Sequence, residues 1–284
     1  MLEPTNNPNP SYMVDPPRLL RFFLARKLGR IANTQQIMKN RAAVEARRRA
    51  EGRAHVVEYF HQIDDPYSHL MAQVIARFAE RYDIDIVPHL IRASGGRNQP
   101  EQEKLAVWAR RDCALIAPHY GLNFPPNAPV MPEHGQQQAA SRLLAKRSAD
   151  EFLARIESVS SAVWSGDAVD VGQTTVTSTE AEAALDSGSA RLADLNHYSG
   201  AMLYYGGEWY WGVDRLFHLE QRLRDLGACK APEQSYLVPR PEVDISSVEA
   251  SGLHLHFFPS LNSPYTSIIF DKTIELSEAC NINF

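Results

Sequence analysis

The stretch HVVEYFHQIDDPYSHLMAQVIARF, residues 55–78, changes its period within a few positions. β-Branched and aromatic side chains in HVVEYFH (55–61) predict a strand. Asp65 then supplies a polar N-cap, with Pro66 in the first helical position. Leu70, Met71, Val74, Ile75 and Phe78 follow at helical spacing. IDIVPHLI (84–91) predicts a second strand, so the opening reads strand–helix–strand. Three helical segments come next, 101–119, 138–161 and 178–195, with no strand between them. LYYGGEWYW (203–211) reads as a β-hairpin around Gly206-Gly207. A last helix over 212–226 carries Leu216, Phe217, Leu219 and Leu223. The expected architecture is α/β: one domain over 55–226, a small mixed sheet with a helical insertion at about 101–195.

Upstream, the charge changes sharply. Residues 16–54 hold eleven Lys/Arg and two Glu, a net of +9; the whole chain carries −5, so the remainder carries −14. Asp15-Pro16-Pro17 predicts a helix start, and Leu20, Phe23, Leu24, Leu28 and Ile31 recur at helical spacing. Residues 1–54 therefore read as a basic helical extension. Such a helix suits an anionic membrane surface or a nucleic acid; the same charge suits the acidic body of its own chain or a partner subunit, and a homodimer is compatible with it.

The 284 residues, 44% hydrophobic and 22% charged, describe an ordinary globular chain of one or two domains. With a net charge of −5 and a pI near 6.1, no specific nucleic-acid partner is expected. MLEPTNNPNPSYMVDPP at the start has no basic region followed by an apolar one, so the expected location is cytoplasmic. Cys113, Cys229 and Cys280 form no CxxC, which excludes dithiol chemistry. Ten histidines show no metal-ligand spacing, and no metal is expected. No glycine-rich phosphate loop occurs.

Residues 227–252, with three prolines and no clean period, read as a linker. After them, 253–284 repeats the opening of the domain at a fixed offset of 198: Phe258 matches Phe60, Pro264 matches Pro66, Tyr265 matches Tyr67, Thr266 matches Ser68, Glu278 matches Glu80 and Ile282 matches Ile84. Repetition of this kind predicts tandem copies of one domain, the second stopping at its second strand.

EYFHQIDDPYSHLM (58–71), SGGRNQP (94–100), a helix with Trp108 and Asp112, HYGLNFP (119–125), AVWSGDAVD (162–170) and GEWYWGVDRLFHLEQRL (207–223) stand in one order over about 55–225. Together they resemble the DsbA-like thioredoxin-fold family, in the branch of 2-hydroxychromene-2-carboxylate isomerases and kappa-class glutathione transferases. The resemblance implies a thioredoxin-like fold with an inserted α-helical domain, glutathione as cofactor and a small aromatic or enone substrate. It places the serine that faces the glutathione sulfur at Asp65, followed by Pro66 and Tyr67. It places the glutathione-loop asparagine at Asn98 and the residues holding the γ-glutamyl end at Val213 and Asp214. The family's cis-proline falls on Ala201, after Gly200, whose backbone would pair with glutathione. The second copy keeps the family's form, Ser263-Pro264-Tyr265, which makes Ser263 a catalytic candidate.

The residues also speak for themselves. A helix start carries roughly half a positive charge and suits a thiolate. Asp65 there is expected to be held ionised by that dipole. Two anions about 4 Å apart repel by ~1 kcal/mol in water and ~4 kcal/mol at intermediate dielectric. The first copy thus looks ill-suited to thiolate chemistry. Asp65 fits either a general base or a plain N-cap, and Ser68, one turn in, offers a substitute hydroxyl. Two functions remain open: a glutathione-dependent isomerase or transferase, and a non-catalytic thioredoxin-fold binding module.

Overall fold

A computed structural model describes residues 17–31, 33–94, 101–172, 174–240, 242, 244, 245, 248, 250, 252–259 and 264–284, with backbone alone at 24, 25, 27–31, 264, 265, 267 and 268. The chain divides into two compact units, 1–239 and 240–284.

The first unit opens with α1 (Arg18–Ile31) and α2 (Thr34–Ala50). The basic extension is thus two helices, because the Asn33 side chain accepts from the Gln36 N–H and starts a new one. Strand β1 (Val56–Gln62) follows, then α3 (Pro66–Ala72), α4 (Ile75–Arg81) and β2 (Asp85–Ile91). The insertion comprises α5 (Gln102–Ile116), a 3-10 turn (Ala117–Tyr120), α6 (His134–Leu144), α7 (Ala149–Ser165) and α8 (Ser178–Asp194). The expected single helix over 138–161 is divided between α6 and α7. Lys146 takes a left-handed φ of 56°, and Ser148 forms a reciprocal capping box with Glu151, which restarts the helix. The hairpin β3 (Met202–Tyr205) and β4 (Glu208–Trp211) turns on Gly206 and Gly207, both at positive φ, and leads through a 3-10 turn into α9 (Leu216–Asp225).

The sheet order is β2-β1-β3-β4, with β1 and β2 parallel and the hairpin antiparallel. This is a thioredoxin-like arrangement with a helical subdomain between its second and third strands. Strand alternation sends Val57, Tyr59, Leu90, Leu203 and Tyr210 into the large core with Leu70, Phe78, Trp164 and Leu219. Phe60, Ile91 and Met202 meet Leu192 of α8 on the opposite face.

Residues 227–239, read in the sequence as the first half of a linker, pack on the first unit instead. Glu220 is fully buried and accepts from the Tyr82 hydroxyl (2.9 Å) and from the Leu237 N–H (2.9 Å), so a buried carboxylate draws the segment in. The Lys230 N–H donates to the Arg81 carbonyl, and Tyr82 bridges Cys229.

In the second unit, α10 (Pro264–Ala279) stands between two short extended pieces. No strand forms over the described part of 253–258; His254 and Asn283 make an isolated parallel bridge, and the Asn283 N–H donates to the Leu253 carbonyl. The same pattern opens the first unit, where Val56 pairs with Asp85 and the Asp85 N–H donates to the His55 carbonyl. The two patterns differ by the offset of 198 read from the sequence.

Gly188 sets how closely α8 lies on β2. A Cβ at this position would stand 2.0 Å from the Leu90 carbonyl oxygen, a backbone atom in the sheet that cannot move aside. Gly188→Ala is therefore expected to destabilise by about 2–3 kcal/mol through overpacking, although alanine is the better helix former. Urea unfolding checks this; an unchanged midpoint would contradict the close approach.

Candidate functional site: a cleft at the start of the first core helix

The chain leaves β1 at Gln62 and enters α3 at Pro66, and Asp65 between them is extended, with φ −101° and ψ 118°. Its Oδ1 accepts from the Tyr67 N–H (3.3 Å) and its Oδ2 from the Ser68 N–H (2.9 Å), so it caps the helix. The Ser68 hydroxyl donates to Asp65 Oδ2 (2.8 Å) and accepts from the backbone N–H groups of Gln62 (3.2 Å) and Ala201 (2.9 Å). One donor and two acceptor sites are all that a hydroxyl has. Ser68 is fully buried and fully engaged, and the substitute hydroxyl expected from the sequence does not face the cleft.

Ala201, at the place where the resembled family carries its cis-proline, is buried with a left-handed φ of 53°; no cis peptide bond occurs among the described residues. Proline has no N–H. The bond from Ala201 to Ser68 and a proline at this position exclude one another. Gly200 beside it is held tightly: a Cβ would come within 2.8 Å of Asp65 Oδ2 and of Gln62 Cβ.

Outside this clamp lies a cleft of about 320 Å³. Asp65, Pro66, Tyr67 and Gly200 line it together with Leu105, Met131 and Trp211. The Tyr67 hydroxyl donates to Asp112 Oδ2 (2.8 Å), and the Tyr67 ring meets Trp211 edge-on at 6.3 Å. Beyond these two rings a second cavity of about 350 Å³ includes Asp112, Tyr120, Asp214 and Arg215. The structure thus brings Asp65, Pro66, Tyr67 and Gly200 together and sets Asp214 next door. The Val213 side chain is instead buried in the large core. Asn98 and Ser263 lie outside the described residues.

Burial pushes the Asp65 carboxyl up to about 6, against the opposing pull of the hydrogen bonds from the Ser68 hydroxyl, the Ser68 N–H and the Tyr67 N–H. The sequence suggested a carboxylate held ionised by the helix dipole. The helix is only seven residues long, and desolvation outweighs it. Part of the Asp65 residue faces the cleft while its carboxylate sits beneath the Ser68 and Gly200 contacts. Burial also raises the Cys113 thiol and lowers His61 to about 3 and His69 to about 4. These histidines are neutral core residues, bonded to the Tyr59 hydroxyl (2.8 Å) and the Ser160 hydroxyl (3.0 Å). Among the described residues no group of three His, Cys, Asp or Glu could hold a metal ion.

The fold is a thioredoxin-like arrangement with a cleft at the start of its first core helix. No protein-family model and no curated protein matches the sequence. A solved structure of 2-hydroxychromene-2-carboxylate isomerase is similar over 63% of this chain and 100% of its own, with a TM-score of 0.46 and 22% identity.

Asp65 makes stability depend on pH. Its pKa rises from an ordinary 3.8 to about 6 on folding, so its favourable contribution is complete below pH ~4 and is lost as pH rises through ~6. The loss is roughly 3 kcal/mol. Asp65→Asn has no such titration. The variant's stability relative to the parent should therefore improve by up to that amount between pH 4 and pH 7 in urea unfolding. A constant difference across that range would contradict the assignment.

Proposed function

We propose that the first unit is a small-molecule-binding module of the thioredoxin-like fold, in which the glutathione-dependent isomerase or transferase chemistry of the resembled family is degenerate. The observation that carries this reading is the Ser68 clamp. Glutathione chemistry at this place needs a hydroxyl or free N–H groups to hold a thiolate. Here the Ser68 hydroxyl and the N–H groups of Tyr67 and Ser68 are all taken up within the protein, the two N–H groups by the Asp65 carboxyl. The residues present do not fit a glutathione thiolate. The lining of Leu105, Met131, Tyr67 and Trp211 suits a small aromatic or enone-like molecule without a negative charge at its inner end.

A second reading keeps the family's activity for a second copy of the domain. Two things support a copy beginning at about 253: the sequence match at offset 198 and the bridge His254–Asn283, which repeats the register Val56–Asp85. In that copy Ser263 stands where the first has Asp65, and an isomerase or transferase function of the protein would rest on it.

Calorimetry with reduced glutathione is the direct test. Binding to the chain should be weaker than millimolar, a level worth only about 4 kcal/mol. Asp65→Ser removes the competing carboxyl and should tighten it. Micromolar affinity in the parent, or no change on Asp65→Ser, would overturn the reading of a degenerate first site.

A further inference from the structure

The N-terminal helices divide their charge in a way that the fold does not require. Along α2 four of the five cations are met within the chain. Glu45 takes Arg48 (2.7 Å) and Arg49 (2.6 Å), and Glu51 takes Arg47 (2.8 Å) and Arg53 (2.5 Å). Arg41 grips Glu208 of β4 through two bonds, 2.8 Å and 2.6 Å, which ties α2 to the sheet edge. Helix α1 has no acidic residue of its own. Its sequence RLLRFFLARKLGRI holds five Arg/Lys in fourteen residues. On the same helix Leu19, Leu20, Phe22 and Phe23 are exposed, Leu19 by 76% and Phe23 by 63%. The Phe22 and Phe23 rings meet edge-on at 5.7 Å in solvent.

We propose that α1 docks on an anionic lipid surface and lies in the plane of the bilayer interface. Charge complementarity and apolar exposure occur on one short helix, and an anionic lipid surface satisfies both. Phosphate headgroups match a helix with five cations and no anion, and the acyl boundary takes leucine and phenylalanine side chains. A nucleic-acid backbone would take the cations but offers no place for four large apolar side chains, and basic nucleic-acid contacts fall off with salt alone. At fourteen residues the helix is too short to span the roughly 30 Å hydrocarbon core, and no helix among the described residues is long and apolar enough to cross a membrane. With α2 fixed to β4 by the Arg41–Glu208 pair, lipid contact by α1 would bring the thioredoxin-like unit to the surface. A small aromatic ligand that partitions into that surface would then be close to hand.

Co-sedimentation of the full chain with vesicles tests the proposal. The chain should bind vesicles of phosphatidylglycerol mixed with phosphatidylcholine, and bind vesicles of phosphatidylcholine alone at least about tenfold more weakly, as expected for several basic residues at an anionic surface. Phe22→Ser with Phe23→Ser, and separately Arg18→Glu with Arg26→Glu, should each reduce binding to the mixed vesicles by about tenfold or more. All four residues are exposed, and the thermal transition of the variants should match the parent. Failure to bind the anionic vesicles would overturn the proposal. So would equal binding to both vesicle types. Binding to a duplex oligonucleotide as tight as to the vesicles, and unmoved by the phenylalanine substitutions, would assign α1 to nucleic acid instead.

Discussion

One buried hydroxyl holds the working end of this molecule together. Ser68 Oγ joins three parts of the chain that are far apart in sequence: the end of β1 through the Gln62 N–H, the helix start through Asp65, and the turn before β3 through the Ala201 N–H. Each N–H lies just beyond the paired residues of β1 and β3, at one end of the two central strands. Left unsatisfied, each buried donor would cost ~1–3 kcal/mol. Gly200 follows from the same constraint, since a side chain there would strike Asp65 and Gln62.

That clamp also decides what the cleft can do. A hydroxyl with no bond to spare cannot hold a ligand, and a carboxyl that caps a short helix from a buried place trades solvation for hydrogen bonds. Burial outweighs those bonds and lifts Asp65 to about 6. The result is a carboxyl behind the inner end of the cleft that is neutral in mild acid and charged above it.

The parts away from the cleft follow the same economy of buried polar groups. Glu220 lies in the core because the Tyr82 hydroxyl and the Leu237 N–H meet it, and the segment 227–239 is carried into the first unit by that bond. On the other face of the sheet the approach of α8 is set by the absence of a side chain at Gly188. At the N-terminus, by contrast, α1 leaves large apolar side chains in water beside an all-basic charge set, which marks a surface made for something other than the core.

The sequence by itself determined the element order, because each signal was local. Period-two and period-3.6 patterns marked β1, α3 and β2, Gly206-Gly207 marked the hairpin, and the Asp65-Pro66 pair marked a capped helix. The residue matches at offset 198 are likewise legible without knowledge of contacts. The division of 138–161 into two helices was legible as well, since Ser148 and Glu151 stand at capping-box spacing. Two things lay beyond the sequence. The engagement of Ser68 depends on Ala201, 133 residues away, and no spacing rule links them. The protonation of Asp65 depends on how many protein atoms cover it. Those are properties of distance and desolvation, and the tertiary structure alone brings the atoms close enough to set them.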